Sequence, residues 1–285
     1  MCKAMEKLTP MWLQLSLAFA IQMFLETINM FIIGKLDDTV ALAAVGLGNI
    51  ILIMFIMSLL LGMNTALETL VSQAHGAGHL KLGGEYLNRM RIILTLMFIP
   101  LCICLSFAEP FLLALGQDQE VVEIAAKYLM LQLPGMFMFA LFDANRLFLN
   151  AMEVTQIATL ILAVGLPFHI LMANYFVFGL GLGVNGLAYA IDISYTAFFV
   201  MITLYSHFTT NEQIREAWFL PGRESFKEWR LIINLGIPGC FMYFVDWSSF
   251  EVIALMAGAV GVADQATIEV ILVAAPLLTC FAFGM

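Results

Sequence analysis

LGNIILIMFIMSLLLGMNTALETLV, residues 47–71, holds a single charged side chain, Glu68. About 20 residues of helix cross the hydrocarbon core of a bilayer, so this stretch alone is long enough to span. Its central part, Ile50 to Leu61, offers no polar face of the kind an outer helix of a soluble protein needs. A barrel strand would be about ten residues of alternating pattern, and this run is continuous. Helices also satisfy their own backbone in hydrocarbon. The same reading extends outward to eight spans, near 11–33, 47–71, 90–115, 123–149, 155–178, 184–206, 230–256 and 264–284. The expected fold is an all-α polytopic membrane protein. Residues 1–206 form a six-helix amino-terminal lobe, 207–229 an inter-lobe linker, and 230–285 the start of a second lobe with spans seven and eight.

Composition agrees. The 285 residues are 62% hydrophobic and 12% charged, against roughly a quarter charged in soluble domains, and mean hydropathy is +0.96. The apolar run from Met11 to Ile33 is longer than a signal-peptide core and more spans follow it, so it reads as span one. Net charge is −9 with no basic patch, which argues against nucleic acid as a partner. The five cysteines form no CxxC pair and the four histidines no ligand spacing with acids, so no metal or thiol chemistry is indicated. Lys3, Lys7, Lys81, Arg89, Arg91, Arg215, Arg223, Lys227 and Arg230 fall on one side of the spans, and Lys35 and Lys127 on the other. That bias puts the amino terminus in the cytoplasm.

Seven acids lie inside apolar stretches: Glu26, Glu68, Asp143, Asp192, Asp246, Glu251 and Glu269. A carboxylate in hydrocarbon is costly, and is by default a pathway, coupling or packing site. The densest cluster is Asp246-Trp247-Ser248-Ser249-Phe250-Glu251 in span seven. Asp246 and Glu251 are five residues apart, about 140° around an ideal helix, so they face different neighbours unless Pro238 kinks the span. A carboxyl group in low dielectric can exchange a proton, or bind a monovalent cation when ionised, and Trp247 can stack on an organic cation. Glu68 stands one turn beyond Asn64 on the same face. Gln73 begins the turn Gln73-Ala74-His75-Gly76-Ala77-Gly78, which lacks phosphate-loop spacing. Asp143 and Arg146 are i,i+3 partners that neutralise each other. Glu26 with Asn29, Asp192 with Tyr195, Asn174 and Glu269 are further polar interruptions, each with a packing alternative. Pro100, Pro134, Pro167, Pro238 and Pro276 mark either kinks or broken helices. The mixed charges of 207–229 also suit a helix lying on the cytoplasmic face.

Several motifs resemble the multidrug and toxic compound extrusion family of drug/sodium or drug/proton antiporters. They are Gln22 to Gly34-Lys35-Leu36, Thr65-Ala66-Leu67-Glu68-Thr69-Leu70 with Gln73-Ala74-His75-Gly76-Ala77-Gly78, and Arg146-Leu147-Phe148-Leu149-Asn150. Gly181-Leu182-Gly183-Val184-Asn185-Gly186 and Ile237-Pro238 with Asp246-Trp247 and Phe250-Glu251 continue the match. The resemblance implies two six-helix lobes in a V with alternating access. It implies that Glu251 is the helix-seven coupling carboxylate, that Asp246 is its second acid, shortened by one methylene, and that Trp247 is an aromatic beside the cavity. Glu269 is the nearest match to a helix-eight acid of eukaryotic members. The pattern favours proton over sodium coupling, with no cofactor, no enzymatic activity and small organic cations as substrates. The family has twelve spans and this chain reaches eight, so a missing carboxyl-terminal lobe is an expected partner. A lipid-linked-sugar flippase of similar lobe plan, or a non-transporting membrane subunit or remnant, is the alternative. The plasma membrane and a vacuolar or vesicular membrane are equally compatible.

Overall fold

The computed structural model describes residues 2–274. The elements are α1 (Cys2–Gly34), α2 (Thr39–Leu52), a π-helical turn (Ile53–Met57), α3 (Ser58–Gly76), α4 (Leu80–Leu105), α5 (Ala108–Ala114) and α6 (Gln119–Ala151). There follow α7 (Gln156–Asn174), a second π turn (Tyr175–Gly179), α8 (Gly183–Phe208), α9 (Glu212–Ala217), a 3-10 turn (Arg223–Phe226), α10 (Trp229–Val260) and α11 (Val262–Ala274). Seven helical rods among the described residues are long and apolar enough to cross a membrane. Large side chains such as Phe31, Ile103, Leu171 and Phe241 stand exposed on the outside, as lipid-facing residues do. The protein is a multi-pass membrane protein. The end of the expected span eight, with Pro276 and Cys280, lies outside the described residues, as do the side chains of Lys3 and Lys7.

Local chemistry sets the rod ends. Asp38 caps α2 by accepting from the Val40 and Ala41 amides, and Asp118 caps α6 through those of Glu120 and Val121. Gly78 and Gly116 take positive φ at the ends of α3 and α5, and the next amide reaches back to Ala74 O and Leu112 O respectively.

Two expectations need correction, and the alternative left open by the prolines is decided. Span three begins at Leu80 rather than near residue 90, and it breaks at Ser106–Phe107 before the short α5. Arg89, only 4% exposed, therefore sits inside α4 and not in the preceding loop. The described prolines break nothing: α4, α6, α7 and α10 run through Pro100, Pro134, Pro167 and Pro238. The irregular turns come instead at Ile53–Met57 and Tyr175–Gly179, where an extra residue per turn relieves the helix ladder. The segment after α8 is not one surface helix. Only Glu212–Ala217 is α-helical, and the chain then docks on α4. Asn88 donates to Phe219 O at 2.8 Å, and the Arg91 guanidinium lies 4.4 Å over the Trp218 ring.

The core lies between packed rods. α6 packs on α8 and α2, α7 on α1 and α8, and α3 on α4 and α6. α10 packs chiefly on α3, where Gly62, Gly236 and Gly239 bring the two backbones together; a Cβ at Gly62 would overlap Cys240. Small residues at a helix crossing are the usual route to close contact in lipid. α11 folds back along α10 and touches α2 and α1.

Candidate functional site

The chain turns between α10 and α11 through the single residue Gly261. The two helices pack on each other after this turn. Glu251, ten residues before the turn, and Glu269, eight after it, thereby reach similar depth. At 1.5 Å per residue they lie roughly 15 and 12 Å beneath the turn. Glu269 is 3% exposed and its stem lies over Gly46 of α2, where any Cβ would collide with it. Its Oε1 has no hydrogen-bond partner, while Glu251 is half-buried. Two carboxyls in one low-dielectric site favour sharing a proton or a monovalent cation.

A second acidic patch forms where α3, α6 and α10 meet. Asp143 accepts from Arg146 Nε at 3.1 Å and from Asn64 Nδ2 at 2.9 Å, so this buried acid is paired. Glu68 is exposed and lies within electrostatic reach of Asp143 and Arg146. Tyr243 is a neighbour of all three and of Asp246. The Tyr243 and Trp247 rings stack at 6.4 Å and 21° on one face of α10. Asp246 is exposed one turn from Tyr243, on the stretch of α10 that carries the stack. An aromatic pair bordered by acids can receive a flat cation.

Two expected site residues stand apart. Gln73 is exposed in the last turn of α3. Asn174 donates to Ile170 O at 2.7 Å on α7, which packs on α1 and α8 and leads away from α10.

A third polar group, inside the bundle, was only half legible. Glu26 accepts from Tyr195 Oη at 2.6 Å, joining two notches that looked separate in sequence. Asp192 accepts from the Gly135 amide at 2.8 Å. His169, fully buried, links Ser194 Oγ at 2.9 Å to the Asn29 side chain at 2.7 Å. Ser194 spends its proton on Ala190 O, so its oxygen accepts from His169 Nδ1. A neutral ring then needs a donor at Nε2, which Asn29 supplies when its amide group presents nitrogen. A single histidine in an apolar run carries no spacing signal for this. Tyr243, Gln117 and Gln265 were missed for the same reason.

The MatE family profile matches residues 15–176, more than half of the chain. The chain belongs to the MatE family. It is 28% identical over 259 residues to an uncharacterized transporter of Schizosaccharomyces pombe, covering 90% of this chain and 47% of that protein. It is 32% identical over 221 residues to Protein DETOXIFICATION 32 of Arabidopsis thaliana, covering 78% and 42%. This MatE protein thus spans about half the length of these curated relatives. Among solved structures, the eukaryotic MATE transporter AtDTX14 superposes with a TM-score of 0.86 at 24% identity, over 98% of this chain and 61% of that one. An outward-facing MATE family multidrug resistance transporter matches at 0.74 and 22% identity, over 98% and 64%. The chain shares the all-helical MATE fold of these two structures.

Proposed function

We propose that this chain supplies the ion-coupling part of a secondary antiporter that exports amphipathic organic cations or toxic compounds in exchange for protons. The observation that carries this reading is that Glu251 and Glu269 stand on consecutive helices, α10 and α11, that pack on each other, with Glu269 buried and one of its oxygens unpartnered. The six spans up to Phe208 act as one lobe, and α10 and α11 open the second. The amino terminus is cytoplasmic, so the α10–α11 turn faces the exterior of the cell or the lumen. Binding works by competition. With the pair deprotonated, its charge holds a cation arriving from the cytoplasm, and the Tyr243–Trp247 stack and Asp246 help it along. Protonation from the far side cancels that charge, releases the cation and favours inward opening. The names of the relatives support transport and detoxification, and nothing in them asks for an enzyme. Sodium in place of the proton is the alternative coupling ion.

The test is Glu251→Gln in the transport-competent polypeptide containing this chain. Efflux of a cationic dye driven by an imposed pH gradient is expected to vanish, with membrane insertion intact. Normal pH-driven efflux in that variant refutes the assignment.

A further inference from the structure

The region between the Glu251–Glu269 pair and the α10–α11 turn holds polar atoms that packing alone does not explain. Gln117 is 6% exposed and Gln265 is 2% exposed. Gln117 reaches the site because Gly116 takes φ +79 and the Gln117 amide closes on Leu112 O, which turns the chain inward after α5. Its Nε2 donates to Leu255 O at 3.0 Å, one turn from Glu251. Its Oε1 has no partner. Gln265 has no partner at Nε2, and Glu269, one turn deeper on the same face of α11, has none at Oε1. Both carboxamides converge over Gly258: a Cβ there would overlap Gln117 Oε1 and crowd the Gln265 carboxamide at 2.9 Å. The missing side chain is what lets the two amides meet.

Three buried polar atoms on neighbouring side chains, each without a protein partner, call for a reason. Water is the ordinary one, and a buried water needs two to four polar neighbours. One α-helical turn is about 5.4 Å, a step that one or two waters bridge.

We infer that Gln117 and Gln265 hold a short file of water that carries protons between the far face of the membrane and Glu269, and through it Glu251. This rests on the proposed coupling role of that pair. A proton enters from far-face solvent near the exposed Asp264, passes along the file and converts the Glu269 carboxylate to the acid. The glutamines are positioning residues: they hold the water and do not themselves change protonation. The charged groups around Glu269 are few. α10 contributes Glu251 and α11 itself Asp264, while α2 contains no titratable side chain. Glu26 of α1 is bonded to Tyr195.

The experiment uses the chain in right-side-out vesicles and reads chemistry at Glu269 rather than transport. A hydrophobic carbodiimide modifies carboxylic acids that are protonated in apolar surroundings, and mass spectrometry locates the adduct. With internal pH clamped, modification of Glu269 is expected to rise when external pH is lowered. Gln265→Leu and Gln117→Leu should each slow that response at least fivefold. Gln265→Asn, which still offers an amide, should stay within twofold of the parent. The inference is overturned if modification follows internal pH, or if both leucine variants respond like the parent. Should Gln265→Leu fail to insert, the sidedness in the parent and the Gln117→Leu response still decide it. Because no efflux is measured, the two failures are distinguishable: normal pH-driven efflux in Glu251→Gln would sink the antiport reading, whereas the labelling result alone decides the water file.

Discussion

Glu26 and Glu269 are both acids inside a membrane bundle, and their surroundings differ in one respect. Around Glu26 most neighbours answer each other: Tyr195 donates to it, Gly135 donates to Asp192, and Ser194, His169 and Asn29 form a chain in which one amide atom of Asn29 stays unmatched. Around Glu269 one oxygen and two carboxamide atoms go unanswered. Burial with most groups paired makes a stiff joint, whereas three unmatched atoms on neighbouring side chains leave a place for something that comes and goes. The α1–α8 group is read as architecture and the α10–α11 group as working machinery.

The sharpest way to break that contrast is to neutralise one acid in each region. Glu251→Gln should lower proton-driven efflux by at least 100-fold, and Glu26→Gln by less than tenfold, in the same dye assay. Equal losses would erase the distinction. Next in size is Arg146→Ala, which strands buried Asp143 without its cation. Removing one partner of a buried ion pair costs about 3 kcal/mol or more, measurable as a lower unfolding midpoint in detergent. Asp143→Asn combined with Arg146→Gln should recover most of it. Gly62→Val wedges the α3–α10 seam apart, and overpacking of that kind costs about 1–3 kcal/mol. The same melt should detect it, with efflux affected in proportion. Tyr195→Phe removes one donor to Glu26 and should cost about 1–2 kcal/mol. Lys227→Ala breaks an exposed pair with Glu224 and should shift the midpoint by less than about 0.5 kcal/mol.

Hydropathy was enough to find the rods, because a lipid solvent imposes the same demand on every turn of every span. The signature around Glu68–Gly78 and the Asp246–Glu251 cluster carried the family. Boundaries were less secure: α4 starts at Leu80 because Lys81, Glu85 and Arg89 prolong an apolar helix beyond the bilayer without breaking it. The π turn at Ile53–Met57 has no proline or glycine to announce it. Nor does the sequence say that the segment after α8 clamps onto α4, since Ala217 O over Gly84 and Trp218 under Arg91 are contacts between residues more than a hundred positions apart.

Residue order alone determined that this chain lives in a bilayer, how its rods alternate, and that acids interrupt spans one, two, four, six, seven and eight. Those properties are local, fixed by side-chain chemistry along a 1.5 Å rise. Tertiary structure alone decided which acids meet. Glu251 gains Glu269 only because Gly261 folds α11 back along α10, and Glu26 gains Tyr195 only because α1 and α8 pack together. A carboxyl's role depends on what faces it across a helix gap, and that partner is set by packing rather than by spacing.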